Sequence, residues 1–250
     1  MENVAAMVVN GTCEADWGAV AELARQAPTR IIPSYGIHPW AVTSATPGWE
    51  AALARRLDAA GGPCGVGEIG LDRWKTRAHF DLQQRLFRQQ LRMGAERNLP
   101  VTIHCLRAWG ALLEIMESEP LPRRGFLLHA YSGASELVPR FVRLGAYFSF
   151  SGSFLAPERE SRRETFRQIP LERWLVETDA PFMPPPAGRT RFPLPPGAGG
   201  ERLNHPANLP AIYEGATEAL GMPPETVTRQ VAHNFQTFFG NRNHGKPWEP

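Results

Sequence analysis

The chain has 250 residues, of which 42% are hydrophobic and 21% are charged, the ordinary balance of a globular protein. This balance excludes a disordered chain and a small disulfide-dependent scaffold. The net charge of +2 is too small for strong non-specific binding to nucleic acid, so any phosphate recognition has to be local. An odd number of cysteines, 3 in all, together with the lack of a signal segment and of a membrane-length apolar run, predicts a soluble, cytoplasmic protein.

Short apolar runs alternate along the chain with longer stretches at helical spacing. The runs predict strands at 5–9, 31–36, 64–69, 101–105, 126–130, 146–150 and 174–177. Helices are predicted to begin near Trp17, Trp49, Ala78, Trp109, Glu136 and Glu160, and a closing helix is predicted over 207–220. Strands that alternate with helices form crossover units, so the sequence predicts a parallel sheet.

Residues whose side chains can bind a metal or transfer a proton recur at the carboxyl ends of the predicted strands. They are His38, Glu68, His104, His129 and Asp179. An open sheet concentrates its site at one switch point, whereas a closed barrel brings nearly every strand end to one mouth. The sequence therefore predicts the α/β class and a (β/α)8 TIM barrel, as a single domain over residues 1–250 with a loose tail from about residue 242.

The predicted strands fall one short of the eight that this barrel needs. Since the chain enters its first strand almost at once, we expect the first strand–helix unit to be missing, and the observed runs to be barrel strands two to eight. Residues 181–200 are rich in proline and glycine and follow the last strand. They are predicted to form a long loop over the barrel mouth.

The strand-end residues have chemistry that suits a metal. Glu68 lies in an apolar strand, where a buried carboxylate needs a cation or metal partner. His104 and His129 end adjacent strands, which lie about 5 Å apart, so their imidazoles can share one ion. Asp179 would close the ring of ligands. Mixed nitrogen and oxygen donors suit Zn, Mn, Mg or Fe, and two such ions form a clamp for ester displacement. An exposed glutamate, core histidines and a turn aspartate remain the alternative interpretation.

Short motifs with these residues occur in a fixed order along the chain. They are GIHP at 36–39, GEIGLD at 67–72, IHC at 103–105, HAYSG at 129–133, ETDAP at 177–181 and NHPAN at 204–208. Together they resemble the TatD family of metal-dependent deoxyribonucleases, within the amidohydrolase-like barrels. The resemblance implies a TIM barrel whose two-metal site hydrolyses phosphodiesters, typically DNA from the 3′ end.

The resemblance also implies a role for each matching residue. Glu68 would bridge both divalent ions (Mg, Mn or Zn), and His104 and His129 would hold the second ion with it. Asp179 would bind the first ion and take the proton from the attacking water. The family carries a His-x-His pair on its first strand, and no such pair occurs here. We favour a start codon assigned too late over the loss of one metal site.

The expected partner is DNA or another phosphodiester substrate, and the sequence indicates no protein partner. The resemblance assigns contact with this substrate to His38 and Asn204. Trp40 and Trp74 follow strand ends and can stack on a base, with rim packing as the alternative. A local basic rim for phosphates, or else a solvated charged face, is predicted from Arg73, Lys75, Arg77, Arg189 and Arg191.

Two other functions remain open at this stage. A hydrolase of the same barrel group could act on C–N or lactone bonds, although the lack of a lysine at the predicted strand ends disfavours a site built on a carboxylated lysine. The chain could also be a truncated barrel that binds a partner without catalysis.

Overall fold

The computed structural model describes residues 4–240, which group into two compact units. The amino-terminal unit comprises residues 6–128, 139–146 and 236–240, and the carboxy-terminal unit comprises residues 4–5, 129–138 and 147–235. The loose tail predicted from about residue 242 lies outside the described residues. Within residues 4–240, none of the helices combines the length and apolar character that crossing a membrane requires.

Strands and helices alternate through the first half of the chain, as predicted. In order, the elements are β1 (Met7–Asn10), α1 (Trp17–Gln26), β2 (Ile31–Tyr35), α2 (Trp49–Asp58), β3 (Gly65–Asp72), α3 (Phe80–Arg97), β4 (Val101–Leu106), α4 (Trp109–Ser118) and β5 (Phe126–Leu128). Each strand from β1 to β5 pairs in parallel with the next. This pairing aligns the carboxyl ends of the strands, near which His38 and His104 lie.

The second half continues the alternation and ends in two helices. Its elements are α5 (Val138–Arg143), β6 (Ala146–Ser151), α6 (Glu160–Arg167), β7 (Trp174–Glu177), α7 (Leu209–Leu220) and α8 (Pro224–Phe239). Strands β6 and β7 pair in parallel. Helix α8 was not predicted, because Gly221 and the two prolines after α7 are typical of a loop. Gly221 ends α7 in the left-handed region at φ 64°, and Pro224 suits the first turn of the next helix.

Two boundaries differ from the prediction in ways that matter for the site. Strand β3 extends to Asp72, so Glu68 lies in the middle of the strand rather than near its end. Strand β5 stops at Leu128, so His129 follows the strand. Residues 181–200, all of them described, contain only a short 3-10 turn at Ala187–Arg189, which confirms the predicted loop.

Strand β3 and helix α3 form the part of the core that supports the site. All residues of β3 except Glu68 are buried, as expected for a parallel strand covered on both faces. Helix α3 buries Leu86, Phe87 and Leu91 along one face. This apolar contact fixes the helix beside the carboxyl ends of β2 and β3, where its polar residues can reach the strand backbone.

Candidate metal centre

Three side chains of the amino-terminal unit meet in what we call the metal cluster: His38, Glu68 and His104. One carboxylate oxygen, Glu68 Oε1, lies 3.3 Å from His38 Nε2 and 3.3 Å from His104 Nδ1. The three candidate ligand atoms all lie within 4.8 Å of one another. The side chains are 8–13% exposed, so the cluster is largely enclosed yet still open to solvent.

Backbone hydrogen bonds to the segment after β1 position two members of the cluster. The His38 N–H donates to Thr12 O at 2.8 Å, and the Glu68 N–H donates to Gly11 O at 3.0 Å. His38 Nδ1 accepts a hydrogen bond from the Trp40 N–H at 3.1 Å. This bond sets the orientation of the imidazole, so that Nε2 faces the carboxylate of Glu68.

The carboxylate of Asp72 contacts His104 on the ring nitrogen that does not face Glu68. It is fully buried and accepts hydrogen bonds from Trp40 Nε1 at 2.6 Å, from the Trp74 N–H at 2.7 Å and from the Lys75 N–H at 2.8 Å. Its Oδ2 also lies 3.2 Å from His104 Nε2. One side chain therefore ties together a metal-cluster histidine and the two tryptophans that follow β2 and β3.

These contacts lower the pKa of the Asp72 carboxyl. Burial alone acts to raise this pKa, but the hydrogen bonds from His104, Trp40 and the two backbone N–H groups outweigh it and hold the pKa well below its usual range. An ionised carboxylate only accepts hydrogen bonds, so Asp72 favours a proton on Nε2 of His104. This leaves Nδ1, on the side of Glu68, as the nitrogen of His104 that would ligate a metal.

Two buried glutamines of α3 hold the strand ends that carry the cluster. Gln83 Oε1 accepts from the Asp72 N–H at 2.7 Å, and Gln83 Nε2 donates to Asp72 O at 3.0 Å. Gln90 makes the equivalent pair of bonds with the backbone of Ile37, at 2.6 and 3.3 Å. Each amide thus pairs with one N–H and one C=O of the backbone that carries the cluster.

A glycine allows β3 and β4 to approach closely beside Glu68. Gly70 has φ 146°, and a Cβ at this position would lie 1.9 Å from the carbonyl oxygen of His104. No side chain fits in that space. The GEIG sequence therefore has a steric reason in addition to the chemistry of its carboxylate.

In the carboxy-terminal unit, His129 lies beside a carboxylate that was not predicted as a site residue. His129 Nδ1 is 3.5 Å from Glu177 Oε1, and the Ser149 hydroxyl donates to Glu177 Oε2. Asp179 follows β7 in the left-handed region, with φ 52°. Left-handed backbone at a residue other than glycine is uncommon and tends to occur at functional sites.

Asn204 is buried, and the structure uses both ends of its amide. Its Nδ2 donates to Thr178 O at 2.6 Å, next to Asp179, and its Oδ1 accepts from Asn208 Nδ2 at 3.0 Å. Asn208 in turn accepts the N–H groups of Arg191 and Phe192 from the proline-rich loop. These contacts favour a role in holding the segment after β7, and substrate contact by Asn204 stays a prediction.

The predicted basic rim divides into two kinds of residue. Arg189 and Arg191 form ion pairs with Glu218 and Glu214, at 2.6 and 2.7 Å. Arg73 lies over the ring of Phe80. Lys75 lies over the exposed indole of Trp40, and Arg77 is exposed. Arg107, which was not part of the predicted rim, lies over the exposed indole of Trp74.

The structure brings together Glu68 and His104, as the sequence predicted. It adds His38, predicted as a substrate contact, as a third candidate ligand. His129 and Asp179 belong to the carboxy-terminal unit, and their roles as ligands stay predictions. Asp72 and Glu177 were not predicted as site residues, although Asp72 is the last residue of the GEIGLD motif. The buried glutamines of α3 were not predicted either. They lie seven residues apart on the apolar face of that helix.

The chemistry of the metal cluster fits a divalent ion. Two imidazole nitrogens and a carboxylate oxygen converge there, His38 from the segment after β2, Glu68 from β3 and His104 from β4. The His104 imidazole also contacts a second carboxylate, that of Asp72. Mixed nitrogen and oxygen donors suit zinc, manganese and similar ions, and a carboxylate behind a ligating histidine is a common support of such sites.

The family and the named relatives of this chain are consistent with a metal centre. The profile of the family described as "TatD related DNase" matches residues 1–240. This chain belongs to that family. It is 31% identical to the "3'-5' ssDNA/RNA exonuclease TatD" of Escherichia fergusonii, over 94% of this chain and 87% of that protein. It is also 31% identical to the "uncharacterized metal-dependent hydrolase YcfH" of Escherichia coli K12, over 84% of this chain and 74% of the relative.

Solved structures confirm the predicted fold class of this TatD-family chain. The TatD homologue YjjV of Escherichia coli K12 superposes with a TM-score of 0.83 and 26% identity, over 95% of this chain and 87% of that one. A TatD family hydrolase from Entamoeba histolytica, at 19% identity, shares the fold with a TM-score of 0.76, over 95% of this chain and 85% of that one. The chain is a metal-dependent hydrolase of a nuclease family, with an α/β fold of the TIM-barrel type.

Proposed function

We propose that this TatD-family chain is a divalent-metal-dependent exonuclease that removes nucleotides from the 3′ end of single-stranded DNA. The observation that carries the proposal is the metal cluster, where His38, Glu68 and His104 converge on one point. Family membership supports phosphodiester chemistry, and the relative named a 3′–5′ ssDNA/RNA exonuclease supports the direction and the single-stranded substrate.

The residues of the cluster would hold Mg, Mn or Zn. A bound divalent ion polarises a phosphoryl oxygen and lowers the pKa of water. Glu68 and His104 would supply ligand atoms, and Asp72 would favour the His104 tautomer whose Nδ1 can ligate. In the two-metal form of the proposal, Glu68 would be the ligand shared by both ions, and His129 would be a further ligand. Asp179 would be a ligand and would also accept the proton of the attacking water.

We further propose that residues 1–250 form one TatD-like barrel domain, because the family profile spans residues 1–240 without a break. A cytoplasmic location is part of the same proposal. It is supported by the free thiols of Cys13, Cys64 and Cys105, since unpaired cysteines are typical of a reducing compartment.

A degradation assay on a 5′-labelled single-stranded oligonucleotide tests the proposal. The protein is stripped with EDTA and reloaded with Mg²⁺, Mn²⁺ or Zn²⁺. We expect a ladder of products shortened from the 3′ end, and loss of activity by at least 100-fold in Glu68→Ala. Glu50→Ala, at an exposed position on α2, is the matched control and keeps activity. A wild-type protein that leaves DNA intact but opens lactones or amides would overturn the proposal.

Calorimetric titration with Mn²⁺ tests the number of ions. Two ions per chain are expected, with one lost in Asp179→Ala and in His129→Ala. A stoichiometry of one in the wild type, unchanged in both variants, would contradict the two-metal form and leave a site made by the metal cluster alone. The rate of degradation of an RNA oligonucleotide of the same sequence, measured in parallel, shows whether the enzyme distinguishes deoxyribose from ribose.

A further inference from the structure

Two large indoles remain exposed beside the metal cluster. Trp40 is 45% exposed and Trp74 is 57% exposed. The Trp40 ring centroid lies 4.8 Å from that of His38 and 5.8 Å from that of His104. Both tryptophans are anchored to the same carboxylate, Trp40 through its ring N–H and Trp74 through its backbone N–H. The Trp40 indole is therefore held next to the candidate ligands, and the backbone of Trp74 is fixed to the same carboxylate.

Each of these indoles has a cation on its face. Lys75 Nζ lies 3.7 Å from the Trp40 ring centroid, and the guanidinium carbon of Arg107 lies 5.6 Å from the Trp74 ring centroid. Arg107 directly follows β4 and has a left-handed backbone conformation, with φ 56°. Each of the two exposed rings is thus paired with a cation.

We propose that Trp40, Trp74, Lys75 and Arg107 form a base-stacking subsite for the terminal nucleotides of a single strand. The inference rests on the proposed exonuclease function and assigns the part of the enzyme that recognises the strand end. Trp74 would stack on a base, since it is the more exposed ring and its backbone is fixed by Asp72. Lys75 and Arg107 would bind the adjacent phosphates.

The chemistry of this subsite favours a nucleic acid end over other occupants. An exposed indole stacks on any base, and neighbouring cations neutralise the phosphates between bases. Bases in a duplex are already stacked on one another, so a subsite of this kind selects single strands without reading sequence. It also provides the local phosphate recognition that a net charge of +2 requires.

Fluorescence anisotropy in EDTA tests the subsite without turnover. Two 5′-labelled oligonucleotides are compared, one with natural nucleotides at the 3′ end and one with three abasic nucleotides there. We expect the wild type to bind the natural end about tenfold more tightly. This preference should disappear in Trp74→Ala and persist in Trp74→Phe, which keeps an aromatic face. Equal affinity for the two oligonucleotides, or no measurable affinity for either, would overturn the inference.

Arg107→Ala separates the role of the cation from that of the ring. This variant should weaken binding of the natural and the abasic oligonucleotide by a similar factor, and reduce the salt dependence of binding by about one phosphate contact. The proposed function fails separately, if metal-loaded wild type leaves the natural oligonucleotide intact while binding it. Stacking fails on its own if the strand is degraded and Trp74→Ala keeps the preference for natural ends.

Discussion

Replacing Asp72 by asparagine changes few atoms but removes the charge on which four donors converge. Trp40 Nε1 and His104 Nε2 meet Oδ2, and the N–H groups of Trp74 and Lys75 meet Oδ1. Asparagine offers only one acceptor oxygen, so its NH₂ group must face the two donors at either the Oδ1 or the Oδ2 position. At least one donor then lacks an acceptor, which should lower the free energy of unfolding by about 1–3 kcal/mol.

The same substitution should weaken metal binding, although Asp72 is not itself a predicted ligand. Without the carboxylate, His104 is free to carry its proton on Nδ1, and that nitrogen then no longer offers a lone pair to the cluster. Loss of such a support typically lowers metal affinity 10–100-fold, or about 1.4–2.8 kcal/mol. We expect a fall of this size in the affinity for Mn²⁺.

Isothermal titration with Mn²⁺ and urea unfolding of the metal-free protein measure the two effects separately. Asp58→Asn is the matched control, because Asp58 is 61% exposed and forms a surface ion pair with Arg97. This control should bind Mn²⁺ as the wild type does. If Asp72→Asn also binds Mn²⁺ with unchanged affinity, the argument that Asp72 directs the His104 lone pair is wrong.

Three further predictions concern Gln83, Gly70 and Cys64. Gln83→Ala removes the hydrogen bonds that Gln83 makes with the N–H and C=O of Asp72 and should lower the free energy of unfolding by about 1–3 kcal/mol, measured in urea. Gly70→Ala places a Cβ 1.9 Å from a carbonyl oxygen of β4 and should destabilise the protein severely, whereas Gly110→Ala, with open space on α4, should be neutral or slightly stabilising in a thermal melt. Burial raises the pKa of the Cys64 thiol to about 11, so at pH 8 it stays protonated and should react with a disulfide reagent far more slowly than the half-buried Cys13; equal rates in the folded protein would contradict this.

The sequence alone predicted the alternation of elements and two residues of the metal cluster. Apolar runs of strand length between helical stretches are local patterns, and seven strands lie where those runs fall. Glu68 and His104 were predictable because polar residues in buried strands need partners, and both lie on neighbouring parallel strands. Helix α8 was missed because Gly221 and the two prolines after it indicate a loop, whereas Pro224 is the first residue of a new helix.

The tertiary structure decided the contacts that no local pattern contains. That His38 faces Glu68, and that Asp72 joins His104 to Trp40, depends on the register of β2, β3 and β4 and on the close approach at Gly70. Sequence patterns report which side of a strand a residue occupies. These contacts instead require positioning to within a few tenths of an ångström between residues at least 30 positions apart.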